Sequence, residues 1–167
     1  ANIVQWSGHG GNNQRFRIYS IQQRSKLLSI TKWGRTFGNG GGGHFAIHGD
    51  GKVEGIRIDF GWYVNAIWIK MKGQGWSQQF GGAENHVCGS TEYICGEDEY
   101  FNKVMVKSGK FVDYVEFVTN KGGVLKGGKS GEGLDEEWQG VLCGIKGTCG
   151  WYIDQIQFKW KYYQGCQ

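Results

Sequence analysis

The sequence predicts an all-β protein, on three observations. Glycine occurs 31 times and proline not at all in 167 residues, so the chain turns often and must make its turns with Gly, Asn, Asp and Ser. Apolar and polar residues alternate over repeated short runs, the period-two pattern of strands with one buried face. One nine-residue pattern also occurs three times without gaps: Gly61-Trp62-Tyr63-Val64-Asn65-Ala66-Ile67-Trp68-Ile69, Gly109-Lys110-Phe111-Val112-Asp113-Tyr114-Val115-Glu116-Phe117 and Gly150-Trp151-Tyr152-Ile153-Asp154-Gln155-Ile156-Gln157-Phe158. Each copy runs glycine, any residue, aromatic, β-branched, then Asn or Asp, and closes on Phe or Ile.

Along the chain, the segment from Gln22 to Ile30 carries Leu27, Leu28 and Ile30 without a helix cap, and it reads as a strand leading into the glycine run at 38–43. Alternating runs at 53–58, 101–106 and 138–143 each precede one copy of the repeat. Two such runs with glycine between them form a β-hairpin. Three related hairpins, none able to hide its apolar face alone, pack most simply around one shared axis. Further glycine pairs, Gly81-Gly82, Gly122-Gly123 and Gly127-Gly128, lie between the repeats.

The length fits one ordinary domain with its own core. A net charge of +4 is mild, and its lysines are interspersed with acids such as Glu97, Asp98 and Glu99, so nucleic acid is not an expected partner. No run approaches the roughly 18–20 apolar residues of a membrane span, and the first residues lack the order of a signal peptide. The chain is therefore read as a mature soluble protein that does not insert into membranes. Five cysteines stand at 88, 95, 143, 149 and 166. Their close spacing predicts two hairpin-spanning disulfides, Cys88 with Cys95 and Cys143 with Cys149, and hence secretion. Cys166 is left over, which points to a bridge between two subunits of a homodimer. The alternative is five reduced cysteines in the cytosol.

Glycine loops expose backbone N–H groups, and a carboxylate held beside them suits a ligand that both donates and accepts hydrogen bonds. A sugar does both. Asp154 can accept from neighbouring hydroxyls while the N–H groups of Trp151, Tyr152 and the Gly41-Gly42 loop donate, with aromatic rings as an apolar wall. The structural alternative makes Gly150 a turn glycine and Asp154 a solvent-facing edge acid. His9, His44, His48 and His86 have no metal-binding spacing, and no cofactor is implied. Glu97, Asp98 and Glu99 read as a solvated turn rather than an acid/base pair.

From about Lys26 to Tyr162 the chain resembles the jacalin-related lectins, in particular secreted animal members of the zymogen-granule type. The resemblance is carried by Gly38-Asn39-Gly40-Gly41-Gly42-Gly43-His44-Phe45, Trp76-Ser77-Gln78-Gln79-Phe80-Gly81-Gly82, Phe117-Val118-Thr119-Asn120-Lys121-Gly122 and Gly150-Trp151-Tyr152-Ile153-Asp154. It implies a β-prism I fold, three four-stranded antiparallel sheets with pseudo-threefold symmetry, and a non-enzymatic protein that binds glycans or glycoproteins. The family's sugar contacts fall on Gly41, Gly42, Gly150, Trp151, Tyr152 and Asp154. The glycine loop is internal here, which by the same resemblance favours mannose or glucose type ligands over galactose. Relatives with further sites suggest a second one at Asp113 with Gly122 and Gly123, and a weaker one at Asn65 with Gly81-Gly82.

Residues 1–25 depart from that pattern and are read as an extension to a domain at 26–167. Val4-Gln5-Trp6 followed by Gly10-Gly11-Asn12-Asn13-Gln14-Arg15-Phe16 looks like one strand pair of a ricin-type β-trefoil, whose closure needs three such units. Two other functions remain open: an interaction protein binding sulfated polysaccharide or a protein partner through Lys121, Lys126, Lys129 and Lys146, and the targeting module of a larger toxin-like protein.

Overall fold

The computed structural model describes residues 3–5, 15–17, 29–82, 87–138 and 140–163. Contacts divide the chain into two units, Thr31–Tyr162, and Ala1–Ile30 with Tyr163–Gln167. In the smaller unit, β1 (Ile3–Gln5) pairs antiparallel with β2 (Arg15–Arg17), Val4 opposite Phe16. Trp6, Gly10 to Gln14 and Cys166 lie outside the described residues, so neither the trefoil likeness nor the intersubunit bridge is addressed by the structure.

All regular elements among the described residues are strands. They are β3 (Ser29–Gly38), β4 (Gly43–His48), β5 (Val53–Phe60), β6 (Val64–Met71), β7 (Phe80–Gly81), β8 (Gly89–Ile94), β9 (Phe101–Ser108), β10 (Val112–Thr119), β11 (Val124–Gly128), β12 (Asp135–Glu137), β13 (Val141–Cys149) and β14 (Ile153–Tyr163). Three four-stranded antiparallel sheets result, in the orders β3-β14-β13-β4, β7-β6-β5-β8 and β11-β10-β9-β12. Each sheet has one repeat hairpin at its centre, flanked by two strands that follow one another in sequence. In each sheet the first of those outer strands ends on a glycine beside the hairpin turn: Gly38 meets the Asp154 carbonyl, Gly81 that of Asn65 and Gly128 that of Asp113.

The repeat has a geometric cause. Each hairpin closes over three residues, from Phe60 to Val64, Ser108 to Val112 and Cys149 to Ile153. The same backbone hydrogen bond stands in all three turns, Gly61 N to Tyr63 O, Gly109 N to Phe111 O and Gly150 N to Tyr152 O, each 3.0 Å. Immediately afterwards every ladder skips one residue: Asn65, Asp113 and Asp154 have no cross-strand partner in their hairpins. The shared Asn/Asp position is thus a β-bulge, which bends the strand and re-aims a side chain. At Asp113 and Asp154 the polar side chain is half-buried, whereas Asn65 is buried among Val64, Ala66 and Ile67.

The aromatic third residues of the turns converge. Tyr63, Phe111 and Tyr152 form a triangle with ring centroids 4.9, 4.8 and 5.1 Å apart, which ties the three hairpin ends together by edge-to-face contact. Below them the inward residues of all three sheets fill one core. Phe117 packs on Phe101 and Phe158, and Phe158 on Phe37, at 5.6–6.0 Å, while Phe45 stacks on Phe80 at 4.7 Å across a sheet boundary.

The cysteine pairings expected from spacing are corrected. Cys88 and Cys95 flank β8, and Cys143 and Cys149 both belong to β13, so each pair is separated by extended chain. Six or seven residues at about 3.3 Å each hold the partners roughly 20 Å apart, far beyond the about 7 Å a disulfide allows. The segment at 144–148, which a hairpin-spanning Cys143–Cys149 bridge requires to turn, is strand; the chain reverses only at Gly150–Tyr152. Cys88, Cys95, Cys143 and Cys149 are all free thiols. Burial pushes the Cys95 thiol up to about 12 and also raises Cys143. Iodoacetamide at neutral pH is expected to alkylate exposed Cys88 first and to reach Cys95 and Cys143 only after unfolding. Mass spectrometry of the native protein showing either close pair oxidised would contradict the register.

Candidate functional site at the hairpin end of one sheet

The central hairpin of the β3-β14-β13-β4 sheet comes from the end of the chain and its outer strands from the beginning. This circular arrangement brings Asp154 beside Gly41 and Gly42, more than a hundred residues earlier. A Cβ at Gly41 would lie 3.8 Å from Asp154 Oδ1, and one at Gly150 would lie 4.0 Å from Oδ2. At Gly42 it would come within 2.3 Å of the Cys149 carbonyl oxygen and 3.1 Å of Asp154 Oδ2, at φ +69°. Only glycine admits both that φ and that approach. The carboxylate therefore looks onto bare backbone on the side of the glycine loop.

Burial holds the Asp154 carboxyl above its ordinary range, and the Lys110 ammonium opposes that shift. Lys110 is the tip residue of the neighbouring hairpin, at the position Trp151 occupies in this one. The threefold repeat was the signal that could have found it, since all three tips share one end. Trp151 is 63% exposed and leaves its ring open to a ligand. Tyr152 differs: its ring packs against those of Tyr63 and Phe111, the third residues of the two other hairpin turns. Gln155 was also missed; its amide nitrogen lies 3.6 Å from where a Cβ of Gly40 would stand.

The two other copies are unequal. Asn65 is 1% exposed, sealed where Asp154 is open, although Gly81 approaches its carbonyl oxygen as Gly38 approaches that of Asp154. Asp113 is half-buried with its carboxyl raised by burial, against which Lys107 and Lys129 pull downward. Its glycine neighbour is Gly128, whose Cβ would meet the Asp113 carbonyl oxygen at 2.1 Å.

The expected partnership of Asp113 with Gly122 and Gly123 is corrected, because those glycines follow the far end of β10. Gly122 N donates to Thr119 O at 3.0 Å and Gly123 N to Thr119 Oγ1 at 2.9 Å. There Thr119 Oγ1 and the Tyr93 hydroxyl both donate to Glu99 Oε2 at 2.7 Å. Glu99 is thus buried in a clasp, whereas its neighbours Glu97 and Asp98 are solvated. Gly122-Gly123 lies directly beyond β10, whereas Gly127-Gly128 closes β11, which runs back antiparallel to the Asp113 end. Among the described residues no three His, Cys, Asp or Glu side chains gather to hold a metal ion.

The family model for the jacalin-like lectin domain matches residues 30–159. No curated protein sequence matches the chain. Among solved structures, Calsepa lectin in complex with a biantennary N-glycan superposes with a TM-score of 0.67 at 17% identity, covering 81% of this chain and 98% of that one. A prostate-specific WGA16 glycoprotein lectin gives 0.63 at 23% identity, covering 80% of this chain and 100% of that one. Lamprey immune protein gives 0.68 at 15% identity, covering 82% of this chain but 45% of its own. These likenesses agree with the fold of three four-stranded sheets, and the family match extends over most of the sequence. The chain belongs to the jacalin-like lectin domain family.

Proposed function

We propose that the protein is a non-enzymatic lectin that binds mannose or glucose type glycans between the Gly41-Gly42 backbone and the Gly150–Asp154 hairpin. The observation that carries this reading is the half-buried Asp154 carboxylate facing glycine loops without side chains. Such a carboxylate accepts from two adjacent hydroxyls while the neighbouring N–H groups donate to hydroxyl or ring oxygens. Trp151 supplies the exposed apolar face. Nothing in this chemistry calls for a metal or cofactor. The lectin domain is taken as 26–167, with 1–25 as an extension. An extracellular location, where glycans are displayed, belongs to the proposal but has lost the support of the within-strand cysteine pairs. The homodimer through Cys166 likewise stands as a proposal, and it would raise weak single-site affinity through avidity.

The lysines behind the polysaccharide reading do not form one patch. Lys121 stands beyond the far end of β10, Lys126 lies within β11, Lys129 covers the Trp62 ring at 3.9 Å, and Lys146 covers Trp33 at 4.1 Å on another sheet. The module reading has one observation in its favour: the chain spans under half of lamprey immune protein. A glycan array with competition by methyl α-mannoside and methyl α-galactoside tests the main reading. Inhibition by the mannoside alone is expected, and an array without mannose- or glucose-terminated hits would sink it.

A further inference from the structure

Below the hairpin end, the outward face of the β3-β14-β13-β4 sheet carries a groove of about 510 Å³ lined by His44, Phe45, Ala46, Lys146, Gly147, Gln155 and Gln157. Its shape follows from the register. The outward row Gln155, Thr148, His44 lies nearest the hairpin end, and the row Gln157, Lys146, Ala46 follows. Ala46 and the glycine between the rows leave the trough. The groove is continuous with the Asp154 site, because Gln155 both lines it and reaches Gly40 of the glycine loop.

The charge on this sheet is one-sided. Its four strands hold Lys32, Arg35, Lys146, Lys159 and Lys161 against one acid, Asp154. Some of these cations are engaged elsewhere: Arg35 pairs with Asp135 at 3.1 Å, and Lys161 donates to the Asp50 carbonyl at 3.0 Å. Lys146 has no ion pair among the described residues and rests on Trp33, where Lys159 also approaches at 5.8 Å. No carboxylate lines the groove. Thr148, 4% exposed, keeps a hydroxyl with no hydrogen-bond partner among the described residues, in the row between Gln155 and His44.

We propose that this groove extends the glycan site, taking the sugar residues that follow the hexose held at Asp154 and selecting oligosaccharides that carry a sulfate or carboxylate there. The inference rests on the reading of Asp154 as a hexose site. From the Asp154 bulge to the Lys146 row is about 10 Å along the strand, which a monosaccharide does not span. Glutamine amides donate and accept, as sugar hydroxyls require, and an ammonium beside an indole face attracts an anion borne on an apolar ring surface. Lys146 is the anion's partner, with Lys159 behind it.

The test is calorimetric titration at low salt with methyl α-mannoside, a mannose-terminated trisaccharide, and the same trisaccharide bearing a sulfate or a uronic acid on its second residue. The acidic trisaccharides are expected to bind about tenfold tighter than the neutral one, with the advantage shrinking as salt rises. Lys146→Ala should remove that advantage, whereas Lys126→Ala, on another sheet, should keep it. Comparing the sulfate and uronate arms shows which acidic group the groove prefers. Mannoside binding with no preference for acidic chains, or a preference that survives in Lys146→Ala, overturns the groove proposal and leaves the hexose site standing. Absence of binding to every sugar overturns both.

Discussion

Replacing Asp154 with alanine is expected to weaken hexose binding at least about 100-fold while the protein stays folded. Two charge-assisted hydrogen bonds to sugar hydroxyls contribute about 1.5–3 kcal/mol each, and about 2.7 kcal/mol corresponds to 100-fold. Asp154→Asn separates charge from shape: it keeps one acceptor oxygen but neither the second nor the charge, so most of the loss should persist. Stability should move the other way. Burial raises the folded carboxyl above its unfolded value, so the folded state binds the proton more tightly. Stability is then highest below the unfolded pKa and declines as pH rises through the folded one. At neutral pH the ionised group opposes folding, and Asp154→Asn should match or exceed the parent in urea denaturation. Binding has the opposite pH dependence. It needs the carboxylate, so affinity should fall on acidification at a higher pH than an unperturbed aspartate gives. Titration calorimetry with methyl α-mannoside measures the first effect; an Asp154→Ala variant that binds as the parent does removes the site from this hairpin.

The second large effect concerns stability. Glu137, on the edge strand β12, is 7% exposed and reaches across to the neighbouring sheet, accepting from Trp160 Nε1 with Oε1 and from Arg35 N at 3.1 Å with Oε2. Gly34 makes room for it, since a Cβ there would stand 1.9 Å from Oε1. Glu137→Ala strands two donors, one on a fully buried Trp160. At about 1–3 kcal/mol for each unsatisfied group, the expected loss is about 2–6 kcal/mol. That is a large share of a domain's stability and lowers the melting temperature by roughly 5–15 °C. Glu137→Gln should fall between, because one amide oxygen still accepts from Trp160 while its NH₂ meets the Arg35 N–H as donor against donor. A melting temperature unchanged in Glu137→Ala would show that the carboxylate clip carries none of the contact between these sheets. Gly34→Ala should reproduce much of the loss by excluding the carboxylate instead of deleting it.

Local pattern determined a good deal by itself. Alternation marked the hairpins, and the glycine-aromatic-acid repeat marked three equivalent turns, because a three-residue turn followed by a bulge demands the same residue types wherever it occurs. Asp154 was legible as the leading candidate for the same reason. Other features depended on which strand end meets which. Gly122 and Gly123 looked as near to Asp113 as Gly128 does, yet β10 carries them to the opposite end of the sheet. Cys143 and Cys149 looked ready to pair, but the intervening residues run extended, and spacing along a chain says nothing of distance until its conformation is fixed. Asn65 and Asp154 share one motif position, and burial separates them. The fate of Glu137 was decided by Gly34 and Trp160, which stand far from it in sequence. Short-range stereochemistry wrote the turns and bulges into the residues that form them, and the resemblance already joined Asp154 to Gly41 and Gly42; exposure and charge environment arise only when three sheets close on one core, because those quantities belong to neighbours rather than to residues.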